Sequence, residues 1–475
     1  MTERIPKAAL VAGMVLMLPV LALMAYSRPA YFTKIEFLGG IILFELLCAS
    51  LWLYRQVFLP IVIVAFLLAG TGLPLASGMW TSGRWGVLAA GALAGSFILL
   101  KERSQHFGLF HGLAMFSILA ALVSAAVSRY PAFALLKASS LLLLFLYAGT
   151  GARIAAAGRE MRFTAGLLTG CEVFVVLLAF FYLAGREPMG NPNSLGAVMA
   201  VAGAPVLLWG TLVTDSPIVR QRRLFLYGVA MYLVFHSRSR AGLAAAMLSS
   251  AVLCLSLRRY RLLAQGLVII LILTASAAIL YPEAFSERMS SLASSVVYKD
   301  KDANLGIFAS RKGPWEDALE SIRKHFWFGS GFGTTDNGLD ASDHLSSFST
   351  AEGTSSENGS SYLAILTWVG VLGVAPFISL AIYLMVKVTR TCLWMLNTTN
   401  PFHPAIPIAM VTLAGLVHAG LEDWLFAPGY YLCVFFWSMA FILVDLAPWA
   451  PLPSFSRNWR PWLMRREAGR IVPSR

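Results

Sequence analysis

The chain reads as an all-α integral membrane protein with about 12–14 transmembrane helices and one large extramembrane loop. Three observations predict this. The sequence is 58% hydrophobic and only 13% charged, whereas soluble domains carry about a quarter charged residues. From Ala8 to Asp445, apolar runs of bilayer length follow one another almost without a break. Between Tyr281 and Ser360 the pattern stops, and a polar stretch carries Arg288, Lys299, Arg311, Lys312, Arg323, Lys324, His344 and Glu357.

A helix needs about 20 apolar residues to cross a bilayer. Runs of that kind occupy 8–26, 36–54, 57–76, 85–100, 109–127, 133–152, 164–184, 194–213, 222–237, 240–257, 262–281, 361–387, 404–421 and 429–449. The run at 222–237 is short and that at 85–100 is Gly-rich, so both count as marginal. The first run follows Arg4 and Lys7; its length, with a second span directly behind it, predicts an uncleaved signal-anchor. These runs divide the chain into a helical bundle (1–281), a loop domain (282–360), C-terminal transmembrane helices (361–449) and a basic tail (450–475).

Charge then sets the orientation. With the N-terminus in the cytoplasm, inside segments hold 22 of the 37 Lys and Arg residues and short outside loops hold eight. That is the bias expected of cytoplasmic loops, and long loops are exempt from it. The 282–360 loop therefore lies outside and the tail is cytoplasmic. The net charge of +13 is spread over short loops, so topology explains it and nucleic-acid binding is not indicated. The five cysteines lie in or beside apolar runs without a CxxC pair, which implies neither a disulfide framework nor a metal site.

Four outward polar clusters stand out. The first, Arg186 to Asn193, contains Asn191-Pro192-Asn193 and reads either as a plain turn or as part of a site. The second, His236 to Gly242, puts Arg238 and Arg240 in a tight hairpin at the edge of the hydrocarbon. There they either snorkel to lipid phosphates or serve function. The third runs from Arg311 to Gly333. Trp315, Leu319, Ile322 and Phe326 recur at helical spacing and predict a face lying on the membrane or capping the bundle. Gly329, Gly331 and Gly333 then form either a helix stop or a backbone cradle for an anion. The fourth, Gly420 to Trp424, carries Glu422 and Asp423, which either pair with loop arginines or face a ligand. Arg186, Arg238, Arg240, Arg288 and Arg311 together predict a pocket for a phosphate or diphosphate, since guanidinium groups bind such oxygens bidentately.

Several of these elements resemble the O-antigen ligase and O-antigen polymerase superfamily of bacterial membrane glycosyltransferases. They are Asn191-Pro192-Asn193 opening a span, Ser239-Arg240-Ala241-Gly242, Arg288 before Ser290-Ser291-Leu292, and Arg311 with Trp315, Ala318 and Leu319. Gly329-x-Gly331-x-Gly333 and Tyr362-Leu363 before Gly370-x-x-Gly373 complete the set, which covers residues 190–375. The resemblance implies a multi-span, inverting and metal-independent transferase without a cofactor, set in the inner membrane with its site facing the periplasm. It would move a glycan from an undecaprenyl-diphosphate-linked donor onto an acceptor glycan or glycolipid. Arg240, Arg288 and Arg311 would hold the diphosphate, with Arg238 and Arg186 as further candidates. Asn191, Asn193 and Asp423 are candidates for other substrate contacts.

The chain departs from the pattern at one position. Ligases of this superfamily carry a His-Asn type pair just before the Tyr-Leu of the span that follows the loop, and here Gly359-Ser360 stand there. The nearest candidate bases are Glu357 and, farther up the loop, His344. This favours a polymerase or exopolysaccharide-type member, with a ligase joining glycan to lipid A-core as the alternative. A flippase for the same lipid-linked oligosaccharide is the competing class. It predicts polar residues along a path at mid-bilayer depth, and Glu45, Lys137, Glu172 and His418 are scattered in sequence. The orientation has a direct test. Cysteines placed at Ser347 and Ser456, in a background lacking the five native ones, should react with an impermeant reagent only at 347. Labelling at 456 in intact cells would reverse the topology.

Overall fold

The computed structural model describes residues 58–71, 77–102, 107–280, 309–334 and 359–449, with Ala22, Tyr26 and Gln56 as single positions. These residues are predominantly helical, with no strand among them. The predicted spans at 8–26 and 36–54, the basic tail, Arg288, His344 and Glu357 lie outside the described residues.

Thirteen helices follow in order among the described residues. They are α1 (Phe58–Gly70), α2 (Ser77–Glu102), α3 (Leu109–Ala126), α4 (Pro131–Ala156), α5 (Glu160–Leu183), α6 (Pro192–Leu212) and α7 (Pro217–His236). After them come α8 (Arg240–Ser256), α9 (Tyr260–Leu280), α10 (Ala309–Lys324), α11 (Ser361–Thr398), α12 (Ala405–Ala419) and α13 (Tyr431–Leu446). Six are long and apolar enough to cross a membrane: α3, α4, α5, α6, α11 and the Gly83–Leu100 part of α2. Four more (α1, α8, α12 and α13) are apolar but only 10–17 residues long. Proline opens α4, α6 and α7, where its missing N–H costs no hydrogen bond.

Long-range contacts fix which helix ends lie together. At one end Trp209 Nε1 donates to the Pro401 carbonyl at 2.8 Å, joining the end of α6 to the start of α12. Arg153, at the end of α4, meets Asp445, at the end of α13, through a two-pronged ion pair of 2.6 and 2.8 Å. At the other end lie the starts of α2, α6, α8, α11 and α13 together with the turn that follows α12, and α10 packs there against α11. The candidate site forms at this second end.

α6 is the central post, with 94% of its span inside the protein, while α5 shows only 22% and leaves most of its surface for lipid. Glycine permits the closest helix approaches. An added Cβ at Gly95 of α2 would lie 2.4 Å from the Gly151 backbone of α4, and one at Gly196 of α6 only 2.3 Å from Ser237 Oγ. Small residues at such crossings are how membrane helices pack when apolar burial gives no preference between protein and lipid.

α11 is broken. At Gly370 the backbone takes φ 67° and ψ −176°, a region essentially reserved for glycine. The groups freed by the break bond to the segment following α10. Ser330 N–H donates to Thr367 O at 3.0 Å and Gly331 N–H to Trp368 O at 3.1 Å. Val371 N–H donates to Phe326 O at 2.9 Å and Leu372 N–H to Trp327 O at 3.2 Å. Ser124 Oγ of α3 also donates to Trp368 O. Irregular backbone within a membrane protein persists only where protein satisfies it in this way.

This corrects two sequence expectations. The amides of Gly329, Ser330 and Gly331 are committed to carbonyls of His325, Thr367 and Trp368, so this part of the glycine stretch locks a broken helix and does not cradle an anion. The buried stripe of α10 is also turned from the expected face. Arg311, Ala318 and Ile322 are buried and Trp315 is half-buried, while Leu319 and Phe326 are exposed. The spacing of 4, 3 and 4 holds, but it begins on a charged residue. A face read from apolar residues alone leaves the arginine out, which shifts the predicted stripe.

Gly370→Ala should destabilise the protein by about 3 kcal/mol or more. Beyond the forbidden φ, its Cβ would lie 2.5 Å from the Trp327 carbonyl. Gly228→Ala in α7 meets nothing within 4 Å, and should be neutral or gain up to about 1 kcal/mol. Thermal unfolding of both variants in detergent measures the contrast; equal midpoints would mean the break is not built into the fold.

Candidate functional site

The site is built around the turn between α12 and α13, residues 420–430. Ser361, the first residue of α11, holds this turn through its side chain and its backbone. Its hydroxyl donates to the Glu422 carbonyl at 2.7 Å and accepts from the amides of Trp424 and Leu425, both at 3.0 Å. The Ser361 amide also donates to the Glu422 carbonyl at 3.1 Å. Trp424 then donates from its indole to Nδ1 of His418 at 2.8 Å, and His418 is only 1% exposed. The Glu422 backbone and the turn that follows it are therefore rigid.

The Glu422 carboxylate forms a short ion pair with Arg311 of α10. Arg311 is 8% exposed, so its charge sits in a protein environment where Coulomb interactions are strong. Arg240, the first residue of α8, interacts electrostatically with both Arg311 and Glu422. Two guanidinium groups thus act on one carboxylate, Arg311 as its ion-pair partner and Arg240 through its charge.

The sequence motif around Arg240 explains its placement. Ser239 caps α8 by accepting from Gly242 N–H at 3.1 Å, and Ser237 Oγ receives Ser239 N–H at 3.3 Å. Gly242 approaches the Gly196 carbonyl so closely that an added Cβ would lie 2.9 Å away. The Ser-Arg-Ala-Gly run therefore presses the start of α8 onto α6, with Arg240 directed to the turn. On the Gly359 side, an added Cβ would lie 3.2 Å from Arg311 Cδ and 3.1 Å from Trp315 Nε1. The chain entering α11 thus passes directly over the arginine.

A group of hydroxyls lines the wall beside this cluster. Ser194, on the first turn of α6, lies beside the hydroxyls of Tyr430 and Tyr431, which are 3.2 Å apart. The Glu422 charge also acts on Tyr430. A phenol is neutral at physiological pH and can donate a hydrogen bond.

The structure divides the predicted residues. Arg240, Arg311 and Asp423 lie at the turn, with Asp423 in electrostatic contact with Lys137 of α4. Arg238 is exposed at φ 53° and Arg186 is exposed after the end of α5. Asn191 Oδ1 accepts from the Asn193 amide at 2.8 Å, which is the helix-cap role that residue type favours. Ser194, one residue beyond, is the group in that motif that reaches the tyrosines.

Glu422, an acid expected from the sequence either to pair with loop arginines or to face a ligand, pairs with Arg311. His418, Lys137, Arg84 and Tyr430 also lie at the site, where the sequence did not place them. A usable signal existed for His418, which lies four residues before Glu422 across the end of α12, so one short segment delivers both. Glu172, grouped with Lys137 and His418 as a buried charge, belongs elsewhere. It pairs with Arg222 at 2.7 Å and Arg223 at 2.8 Å.

No curated protein matches the chain. The family model described as O-antigen ligase matches residues 224–378, a stretch that contains Arg240, Arg311, the glycine segment and the break at Gly370. The chain is thus a multi-pass helical membrane protein similar, over this stretch, to the O-antigen ligase and polymerase superfamily.

Proposed function

We propose that this protein transfers a glycan from an undecaprenyl-diphosphate-linked donor to an acceptor saccharide at the periplasmic face of the bacterial inner membrane, in the manner of an O-antigen or exopolysaccharide polymerase. The observation that carries the reading is the buried Arg311 guanidinium paired with Glu422, with the charge of Arg240 acting on both. In the reaction, the acceptor hydroxyl oxygen bonds to the anomeric carbon on the face opposite the diphosphate. The C1–O bond breaks, its electron pair leaves with undecaprenyl diphosphate, and the anomeric configuration inverts. Negative charge grows on the leaving group as the bond breaks. Fixed guanidinium groups aimed there lower the barrier without reorganising at the moment of reaction. Arg288 joins Arg240 and Arg311 in this role, and no metal or cofactor is required.

Glu422 and the Ser361 clamp position the two arginines; a carboxylate held by guanidinium groups is a weak base. The proton of the acceptor hydroxyl goes to Glu357, with His344 as the competing base. Glu357 ranks ahead because Gly359, two residues along, lies against Arg311. The absence of the His-Asn pair before Tyr362 favours polymerase over ligase.

Three of the four interior polar residues that a flippase path would use are otherwise engaged. Lys137 and His418 gather at the 420–430 turn, and Glu172 is tied to two arginines.

Arg240→Ala and Arg311→Ala should each slow transfer by about two to three orders of magnitude, the cost of one preorganised donor to a developing anion. Lysine should restore only part of this, because it lacks the planar fork. Purified protein given lipid-linked repeat units, with and without lipid A-core, reads both the rate and the reaction. Chain growth without core identifies a polymerase, and product only with core identifies a ligase. Near-normal transfer by both alanine variants at equal expression would end the diphosphate-clamp reading.

The base is tested separately. Glu357→Gln keeps shape and removes basicity, so transfer should fall while donor-lipid binding persists. An active Glu357→Gln enzyme beside a dead His344→Ala enzyme would hand the role to His344.

A further inference from the structure

Glu422 and Asp423 are adjacent in sequence but serve different neighbours. Glu422 meets Arg311 and Arg240, while Asp423 interacts with Lys137. Lys137 in turn lies near Arg84 of α2. Arg84 donates from Nη1 to the Gly429 carbonyl at 2.9 Å, which ties this second pair of cations to the far end of the same turn. Its guanidinium carbon stands 5.7 Å from the Phe66 ring and 5.5 Å from the Trp85 ring. Its Nε is buried without a hydrogen-bond partner.

Lys137 sits on the second turn of a membrane-spanning helix, where a charge is costly and marks function by default. It is half-buried, its ammonium lies 5.2 Å from the Phe133 ring, and it forms no ion pair among the described residues. An added Cβ at Gly333 would lie 3.2 Å from Lys137 Cγ. The stem is therefore packed inside the bundle by the glycine segment, whereas a snorkelling lysine would extend to the lipid headgroups. Two mutually repelling cations thus lie side by side in a partly desolvated setting, with Asp423 beside Lys137. An anion bound between them would relieve that repulsion.

We propose that Arg84 and Lys137 form a second anion subsite across the 420–430 turn from Arg240 and Arg311, and that it takes a phosphate or carboxylate borne by the acceptor. The word acceptor rests on the transferase reading; the anion subsite does not. Two sources share this chemistry: the diphosphate of a second lipid-linked repeat unit, and an acidic group on the acceptor saccharide itself.

The test uses full-length protein in phosphatidylcholine nanodiscs and two readouts. The first is equilibrium binding of radiolabelled undecaprenyl diphosphate. The second is the acceptor KM for a lipid-diphosphate-linked repeat unit, a lipid-free carboxylated saccharide and its neutral counterpart. Lys137→Gln and Arg84→Gln should weaken binding of the charged acceptor by about tenfold or more, the worth of one charge-assisted hydrogen bond. kcat and donor KM should hold, and the neutral saccharide should be unaffected. Lys137→Arg should retain tight binding. Lys137→Met keeps the apolar stem and serves if the glutamine variant does not fold.

Two bound lipids per protein, one lost in Lys137→Gln and the other in Arg240→Gln, identify the source as a second lipid diphosphate. One bound lipid, unaffected at Lys137, with a raised KM only for the carboxylated saccharide, identifies an acidic saccharide. Undecaprenyl diphosphate binding that depends on Lys137 without any transfer by the wild type would sink the transferase reading and leave the subsite standing. Unchanged binding and unchanged KM for every acceptor in both glutamine variants would overturn the subsite.

Discussion

The ion pair between Arg311 and Glu422 is the contact on which the rest of the site depends. It joins residues 111 positions apart, the first on the short helix α10 and the second on the turn between α12 and α13. Breaking a buried pair by removing one partner costs about 3–5 kcal/mol, because the remaining charge stays buried and uncompensated. Such a pair contributes little net stability compared with apolar packing, but it fixes α10 in one register. Ser361 then ties α11 to the same turn with four hydrogen bonds. The charged centre and the helix that follows the polar loop are positioned together.

The break in α11 complements this. An unbroken helix would keep its carbonyls to itself and offer α10 nothing to bond with. By opening at Gly370, α11 presents Thr367 and Trp368 carbonyls and the amides of Val371 and Leu372 to the segment 326–331. α10 is thereby anchored at its C-terminal side by backbone bonds and at its N-terminal side by Arg311. A loop helix with only apolar contacts could slide on the bundle; one held at both ends cannot.

Much of this was legible in the sequence, and the failures have physical causes. The long spans α2 to α6 and α11 read directly, because apolar runs of bilayer length have few alternative explanations. The Pro192 start of α6 and the Ser239 cap of α8 sat where local chemistry puts them. Arg240 and Arg311 were visible as charges that membrane topology does not explain. Glu422 was legible as an acid that could pair with a loop arginine, but not as the partner of Arg311 in particular. Pairing across 111 residues leaves no local signature. The face of α10 was misread for a related reason, because a buried arginine has the periodicity of a core residue and the appearance of a surface one. The glycines at 329 and 331 signalled unusual backbone correctly, but the sequence alone did not distinguish an anion cradle from a clamp on another helix.

The two ends of the bundle handle charge differently, and that contrast bears most directly on function. Away from the site, Arg153 and Asp445 neutralise each other in a two-pronged pair, and Glu172 lies between Arg222 and Arg223, with Arg222 largely open to solvent. These are self-sufficient structural pairs, and the excess charge faces water. At the 420–430 turn, Arg84, Lys137, Arg240 and Arg311 gather around Glu422 and Asp423, and Arg84 and Arg311 are packed among helices. A protein that needed these charges only for stability could neutralise them, as it does at the opposite end. Keeping a cationic excess among the described residues inside the bundle costs stability, and under the proposed function a substrate carrying negative charge would offset that cost.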